Sequence, residues 1–206
     1  MYYVETLKYV FHVIFHPFDG FWDLKREHRG SLAAALTFVL ITIATLTIEK
    51  QNTGFLFNPN RLQDLNVTVD IVTVVLLYVL WVVANWCLTS LMDGEGTMKD
   101  IAIATGYAIF PIILIRLPMV VVSHMLTSSE GSFYYVFSAV SYIWAGFLLF
   151  CSTMITHQYS IAKTLVTIVL TVVGMCIIMF IGLLFFSVIQ QMIGFGTTIY
   201  TELRFR

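Results

Sequence analysis

Long apolar runs alternate with short charged punctuation along the 206 residues. An apolar helix needs about 20 residues to cross a bilayer, and five of the uncharged intervals meet that length. The first runs from about Ser31 to Ile48 and closes at Glu49 and Lys50; the second runs from Ile71 to Met92, between Asp70 and Asp93. The third, Ile101 to Leu126, is interrupted by Pro111, Arg116 and Pro118, so it is either one kinked span or two half-helices. The fourth covers about Phe133 to Thr156 and the fifth Thr164 to Ile189. The short connection His157 to Lys163 makes these last two antiparallel neighbours. The expected fold is all-α: a polytopic transmembrane helical bundle of five spans over residues 31–206.

The third run crosses despite its arginine. An Arg near the centre of a span costs roughly 3 kcal/mol, whereas about a dozen Leu, Ile, Val and Phe residues each contribute roughly −0.3 to −0.6 kcal/mol. Prolines are tolerable there because neighbouring helices or water satisfy the carbonyls they free.

Residues 1–30 read differently. Val4, Leu7, Phe11, Ile14 and Phe18 recur at steps of three and four, with Glu5, Lys8, His12 and His16 on the opposite stripe. This pattern predicts an N-terminal interfacial amphipathic helix lying in the headgroup plane. Pro17, Asp19 and Gly20 are expected to break it before the pair Phe21-Trp22. His12 and His16 stand four apart, but two imidazoles without a third ligand do not make a metal site.

Composition narrows the class. The chain is 59% hydrophobic and 11% charged, with 11 basic against 12 acidic residues and a mean hydropathy of +0.87. A nucleic-acid-binding domain, a disordered tail and a disulfide-framed secreted module all need charge or cysteine that is missing. Cys87, Cys151 and Cys176 fall in apolar runs, where they pack as small hydrophobes. No short apolar region with a cleavage site precedes the first span, which is therefore expected to remain in the mature protein.

Charge also sets an orientation. With the N-terminus inside, the cytoplasmic side carries Lys8, Lys25, Arg26, Arg29, Lys99 and Lys163, against Lys50, Arg61, Arg204 and Arg206 outside. The strongest element is the Lys25, Arg26 and Arg29 cluster directly before the first span. A multi-pass protein of the cell membrane is expected, with a cytoplasmic N-terminus and an extracytoplasmic C-terminus.

Catalytic motifs are missing: no His-Glu-x-x-His, no Gly-x-Ser-x-Gly elbow and no P-loop occurs, and Gly131-Ser132 sits in an expected loop without a base in register. No catalytic residue, cofactor or metal is expected. The most polar internal segment is Asp93-Gly94-Glu95-Gly96-Thr97-Met98-Lys99-Asp100. Gly94 and Gly96 allow a tight reversal, and Thr97 with Asp100 forms a capping-box pair opening the next helix. Asp93, Glu95 and Asp100 supply too few oxygen ligands for a calcium loop. The segment, with Lys99, is a candidate partner-contact surface on the cytoplasmic side.

Arg116 is the ionised residue deep in a span, and lipid penalises such residues unless they are used. Counted from Asp100, it lies about 24 Å along the helix, in the outer leaflet. There it is expected either to snorkel outward or to form an ion pair, with Asp70, at the outer end of the second span, as its nearest partner. Asn85, about 12 Å from the inner end of the second span, is expected to make a helix–helix hydrogen bond. Ala102 and Gly106 offer a small-residue face where another helix approaches closely. An odd number of spans and few buried polar groups weigh against an alternating-access transporter.

Three stretches carry a family resemblance: His16-Pro17-Phe18-Asp19-Gly20-Phe21-Trp22-Asp23-Leu24-Lys25, the loop Asp93 to Asp100, and Gly106-Tyr107-Ala108-Ile109-Phe110-Pro111. The chain resembles the bacterial branch of the Yip1 domain family from about His16 to the fifth span. The most specific part is the Gly-Glu-Gly-Thr loop followed at fixed distance by Tyr107 and Pro111. The resemblance implies five transmembrane helices with a cytosolic N-terminus. Eukaryotic members are non-catalytic Golgi and endoplasmic-reticulum proteins that associate with Rab-type GTPases; this chain lacks their long N-terminal region and Asp-Leu-Tyr-Gly-Pro motif. Bacterial relatives resemble accessory or scaffold subunits, some associated with ABC-type transporters. The expectation is therefore a non-catalytic accessory or scaffold subunit whose partners are the lipid bilayer and other integral membrane proteins, including ABC-type transporter subunits, and not nucleic acid. The alternative is a small transporter or channel component using Arg116 and the Pro-interrupted third span.

Overall fold

The structure is a computed structural model that describes residues 2–58 and 65–205. Helices account for its regular structure: α1 (Tyr2–Phe15), α2 (Pro17–Arg26), α3 (Leu32–Asn52), α4 (Val67–Leu91), α5 (Met98–Ala108), α6 (Phe110–Val122), α7 (Gly131–His157) and α8 (Ile161–Arg204). Among the described residues, five segments are long and apolar enough to cross a membrane: Leu32–Asn52, Val67–Leu91, Met98–Val122, Ser128–His157 and Ile161–Glu202. The molecule is a multi-pass helical membrane protein. Arg61 and Arg206, counted above for orientation, lie outside the described residues.

The third span is two helices in series. Ile109 ends α5 and precedes α6, and Pro111 occupies the first turn of α6, where its missing N–H is harmless. Pro118 sits inside α6 with its ring on an exposed face, and the helix continues to Val122. This span stops short of the expected Leu126, because Ser123 caps it and its Oγ accepts the Gly54 N–H at 2.8 Å.

The N-terminal segment departs from the expected single stripe. The face of α1 that packs inward is Thr6, Val10, Val13 and Ile14, while Val4, Phe11 and, in α2, Phe18 are exposed. The helix is amphipathic toward the bundle and keeps a second apolar face outward. Asp19 and Gly20 do not break the chain; they lie within α2. Gly20 is needed because a side chain there would come within 2.7 Å of the Val13 Cα, so α1 and α2 pack backbone to backbone. The Tyr9 hydroxyl donates to Asp23 Oδ2 at 2.6 Å, pinning the two helices; burial, and then the Asp23 carboxylate, push its pKa far above the usual phenol range.

The core joins α1 and α2 to α3, α5 and α7 through Phe21, Ala35, Phe38, Tyr107, Leu148 and Cys151. Gly106 faces a helix of the same chain: a Cβ there would lie 2.6 Å from the Ala35 Cβ and 2.9 Å from the Ala35 carbonyl oxygen. The small-residue face is thus used within the chain, between α5 and α3. Tyr107 is fully buried and its Oη donates to the Thr6 carbonyl at 2.8 Å, tying α5 to α1.

α8 is 44 residues long, about 66 Å at 1.5 Å per residue, against about 30 Å of hydrocarbon. It does not end near Gln190 as expected; Gly194, Phe195 and Gly196 are helical. Thr164, Thr167 and Thr171 are fully buried, and Gly174 approaches Ala84 and Leu88 of α4. Beyond Thr171, none of the residues of α8 whose side chains are described is buried. Gly131 and Ser132, expected in a loop, open α7.

Candidate functional site

Two polar assemblies stand out, one at each end of the bundle. At the end near α2, the chain leaves α4 through Asp93, which takes a left-handed conformation at φ 55°, and enters α5 through a capping box. In that box the Thr97 Oγ1 accepts the Asp100 N–H at 3.2 Å, and Asp100 Oδ2 accepts the Thr97 N–H at 3.0 Å.

The two glycines serve a different purpose from the expected reversal, since no glycine of the described chain has a positive φ. A side chain on Gly94 would come within 2.6 Å of His157 Nδ1 and 2.7 Å of Tyr159 Oη. One on Gly96 would meet Thr156 Cγ2 at 2.6 Å and His157 Cε1 at 2.8 Å. Their absent side chains let the loop lie against the α7–α8 connection.

His157 is the centre of this junction and is almost fully buried. The Gly96 N–H donates to its Nδ1 at 3.3 Å, so Nδ1 is the acceptor; Nε2 then carries the proton and donates to Asn85 Oδ1 at 3.1 Å. Asn85 Nδ2 donates to Thr171 Oγ1 at 3.5 Å. One buried chain of hydrogen bonds therefore links the loop, α7, α4 and α8. The sequence shows His157 only as the start of a short connection; the signal that could have found it is the Gly-x-Gly spacing, which implies a close neighbour, and Asn85, which needs a partner in lipid.

Lys25 and Arg26 of α2 both reach Glu95 Oε2 at 3.3 Å, and Lys25 Nζ also donates to the Thr156 carbonyl at 2.8 Å. Lys163 Nζ donates to the Met92 carbonyl at 2.6 Å while lying 4.1 Å from the Tyr159 ring centroid. Tyr159 Oη donates to the same carbonyl at 3.0 Å, and burial, then the charge of Asp93, raise its pKa. Asp93, Glu95, Thr97 and Lys99 remain exposed on the outer surface of this junction. The three acidic residues do not converge as a cation site: Glu95 is engaged by α2 and Asp100 by Thr97.

At the opposite end, Arg116 pairs with Glu49 and not with Asp70. Its Nη1 donates to Glu49 Oε2 at 2.5 Å, its Nε donates to Ser141 Oγ at 3.2 Å, and it stacks 4.2 Å from the Tyr142 ring centroid. Tyr134 Oη donates to Glu49 Oε1 at 3.1 Å. Asp70 accepts instead from Lys50 Nζ. The correction has a simple cause: α3 stays helical through Glu49 and Lys50, so both charges of that pair reach into the bundle, Glu49 toward α6 and Lys50 toward α4. These four residues line a cleft of about 450 Å³ between α3, α4, α6 and α7.

Among the described residues, no group of three His, Cys, Asp or Glu side chains could hold a metal ion, and His12 and His16 simply stack, 5.1 Å between ring centroids. No curated protein and no solved structure matches the chain. The Yip1 domain matches residues 11–201, which include the loop from Asp93 to Asp100, Tyr107, Pro111 and both polar assemblies. With a match over nearly its whole length and five apolar spans, this chain belongs to the Yip1 domain family.

Proposed function

We propose that the protein is a non-catalytic accessory or scaffold subunit that associates with other integral membrane proteins, with ABC-type transporter subunits as the partner class that the family resemblance favours. The observation that carries this reading is α8. About 20–25 helical residues suffice to cross a bilayer, and α8 exceeds this while Ile193, Phe195, Ile199 and Tyr200 stay exposed near its far end. A polytopic subunit would cover such a helix with a neighbour. The exposed charges Arg26, Glu95 and Lys99 supply a second contact surface, on the cytoplasmic side if the N-terminus is inside.

The competing reading, a small transporter or channel component, rests on Arg116 and the broken third span. Arg116 has a structural account in its bonds to Glu49 and Ser141, which favours the subunit reading. Gentle detergent extraction and native mass measurement of the full chain, beside a chain ending at Ile189, test it. The expected result is a stoichiometric complex with another membrane protein that is lost on truncation. A stable monomer with nothing bound would overturn the proposal.

A further inference from the structure

The cleft at the Arg116 end is lined by Glu49, Lys50, Asp70 and Arg116, two charges of each sign. Its volume of about 450 Å³ falls within the roughly 300–1,000 Å³ typical of small-molecule sites. A lone anion entering it meets two carboxylates, and a lone cation meets a lysine and an arginine. A ligand carrying both charges can face both kinds of group without leaving net charge in a low-dielectric site.

Access is uneven among these groups. The Lys50 side chain is 42% exposed, whereas Asp70, Arg116 and Glu49 are nearly covered. Lys50 is therefore the reachable cation at the mouth. Tyr134, Tyr135 and Tyr142 add aromatic faces of the kind that attract ammonium groups. Ser138 also lines the cleft, and its hydroxyl oxygen is buried with no hydrogen-bond partner among the described residues. Buried hydroxyls are rarely left so, and a bound polar group would satisfy it. Along α4 the lining face carries the exposed Val69 and, four residues beyond Thr73 and three beyond Val74, the exposed Leu77, an apolar continuation suited to acyl chains.

We propose that this cleft binds a zwitterionic headgroup of the phosphoethanolamine class, with the phosphate at Lys50 and the ammonium toward Asp70 and the tyrosines. The apolar continuation of the walls makes a membrane lipid the expected source. The test uses the full-length protein in detergent and native mass spectrometry with phosphatidylethanolamine, phosphatidylglycerol and free phosphoethanolamine. Wild type should retain one phosphatidylethanolamine about tenfold more readily than phosphatidylglycerol, and free phosphoethanolamine should displace it. Lys50→Gln and Asp70→Asn should each lower retention about fivefold. Tyr135→Ala, at an exposed wall residue outside both ion pairs, should lower it without shifting the unfolding temperature. Binding of free phosphoethanolamine without the lipid would support the headgroup chemistry and assign it to a soluble source. Equal retention of both lipids, or retention unchanged in all three variants, would overturn the proposal.

Discussion

Arg116 persists in a membrane-spanning helix because Glu49, Ser141 and Tyr142 surround its guanidinium, with Arg116 and Glu49 only 11% and 13% exposed. Removing one partner of such a pair leaves an uncompensated charge, at a cost of about 3–5 kcal/mol. Glu49→Gln and Arg116→Leu should each lower the unfolding temperature strongly, and the double variant Glu49→Leu/Arg116→Leu should recover most of the loss; thermal unfolding in detergent reads this directly. Glycines give a second contrast. Gly106→Ala drives a methyl group into the Ala35 backbone and should cost about 1–3 kcal/mol, whereas Gly146→Ala meets nothing within 4 Å and should be neutral or stabilising. Denaturation midpoints of the two variants should differ in that order.

Among the elements, the helices extend past the charges that frame the apolar runs. Glu49 and Lys50 lie inside α3, and Asp70 lies inside α4. Charges mark where a chain meets the membrane boundary, but a helix continues wherever its backbone bonds and side-chain partners allow. α8 is the extreme case, running on through Gly194 and Gly196 to Arg204. None of the described side chains in its distal half is buried, so a chain ending at Ile189 should unfold within about 0.5 kcal/mol of the full-length protein. Chemical denaturation of the two checks this; a loss of several kcal/mol would mean that distal α8 folds back on the bundle.

For the whole molecule, two polar ends are joined by an apolar middle: a loop-rich end at α2, where lysines and arginines are interleaved with carboxylates, and the paired-charge cleft at the other. The lysine and arginine bias predicts that the α2 end is cytoplasmic. In a background without native cysteines, a membrane-impermeant thiol reagent added outside intact cells should label Ser129→Cys and not Thr97→Cys. The reverse pattern would invert the topology.

By itself the sequence determined what depends on local composition. Run length and hydropathy specify five spans, the Thr97 to Asp100 spacing specifies a helix start, and the family-like stretches specify the Yip1 domain. These are properties of contiguous residues, readable without knowing what packs on what. Tertiary structure alone decided the pairings. Whether Arg116 meets Glu49 or Asp70, 67 or 46 positions away, depends on how α3, α4 and α6 are rotated against one another, and apolar lipid-facing helices carry little periodicity to reveal rotation. His157 became a central residue, and Gly94 and Gly96 became contact positions, only when α7 and α8 brought their connection against the loop. In a bilayer the hydrophobic effect does not select one helix face over another. Close contact and buried hydrogen bonds make that choice, and both exist only once the bundle has formed.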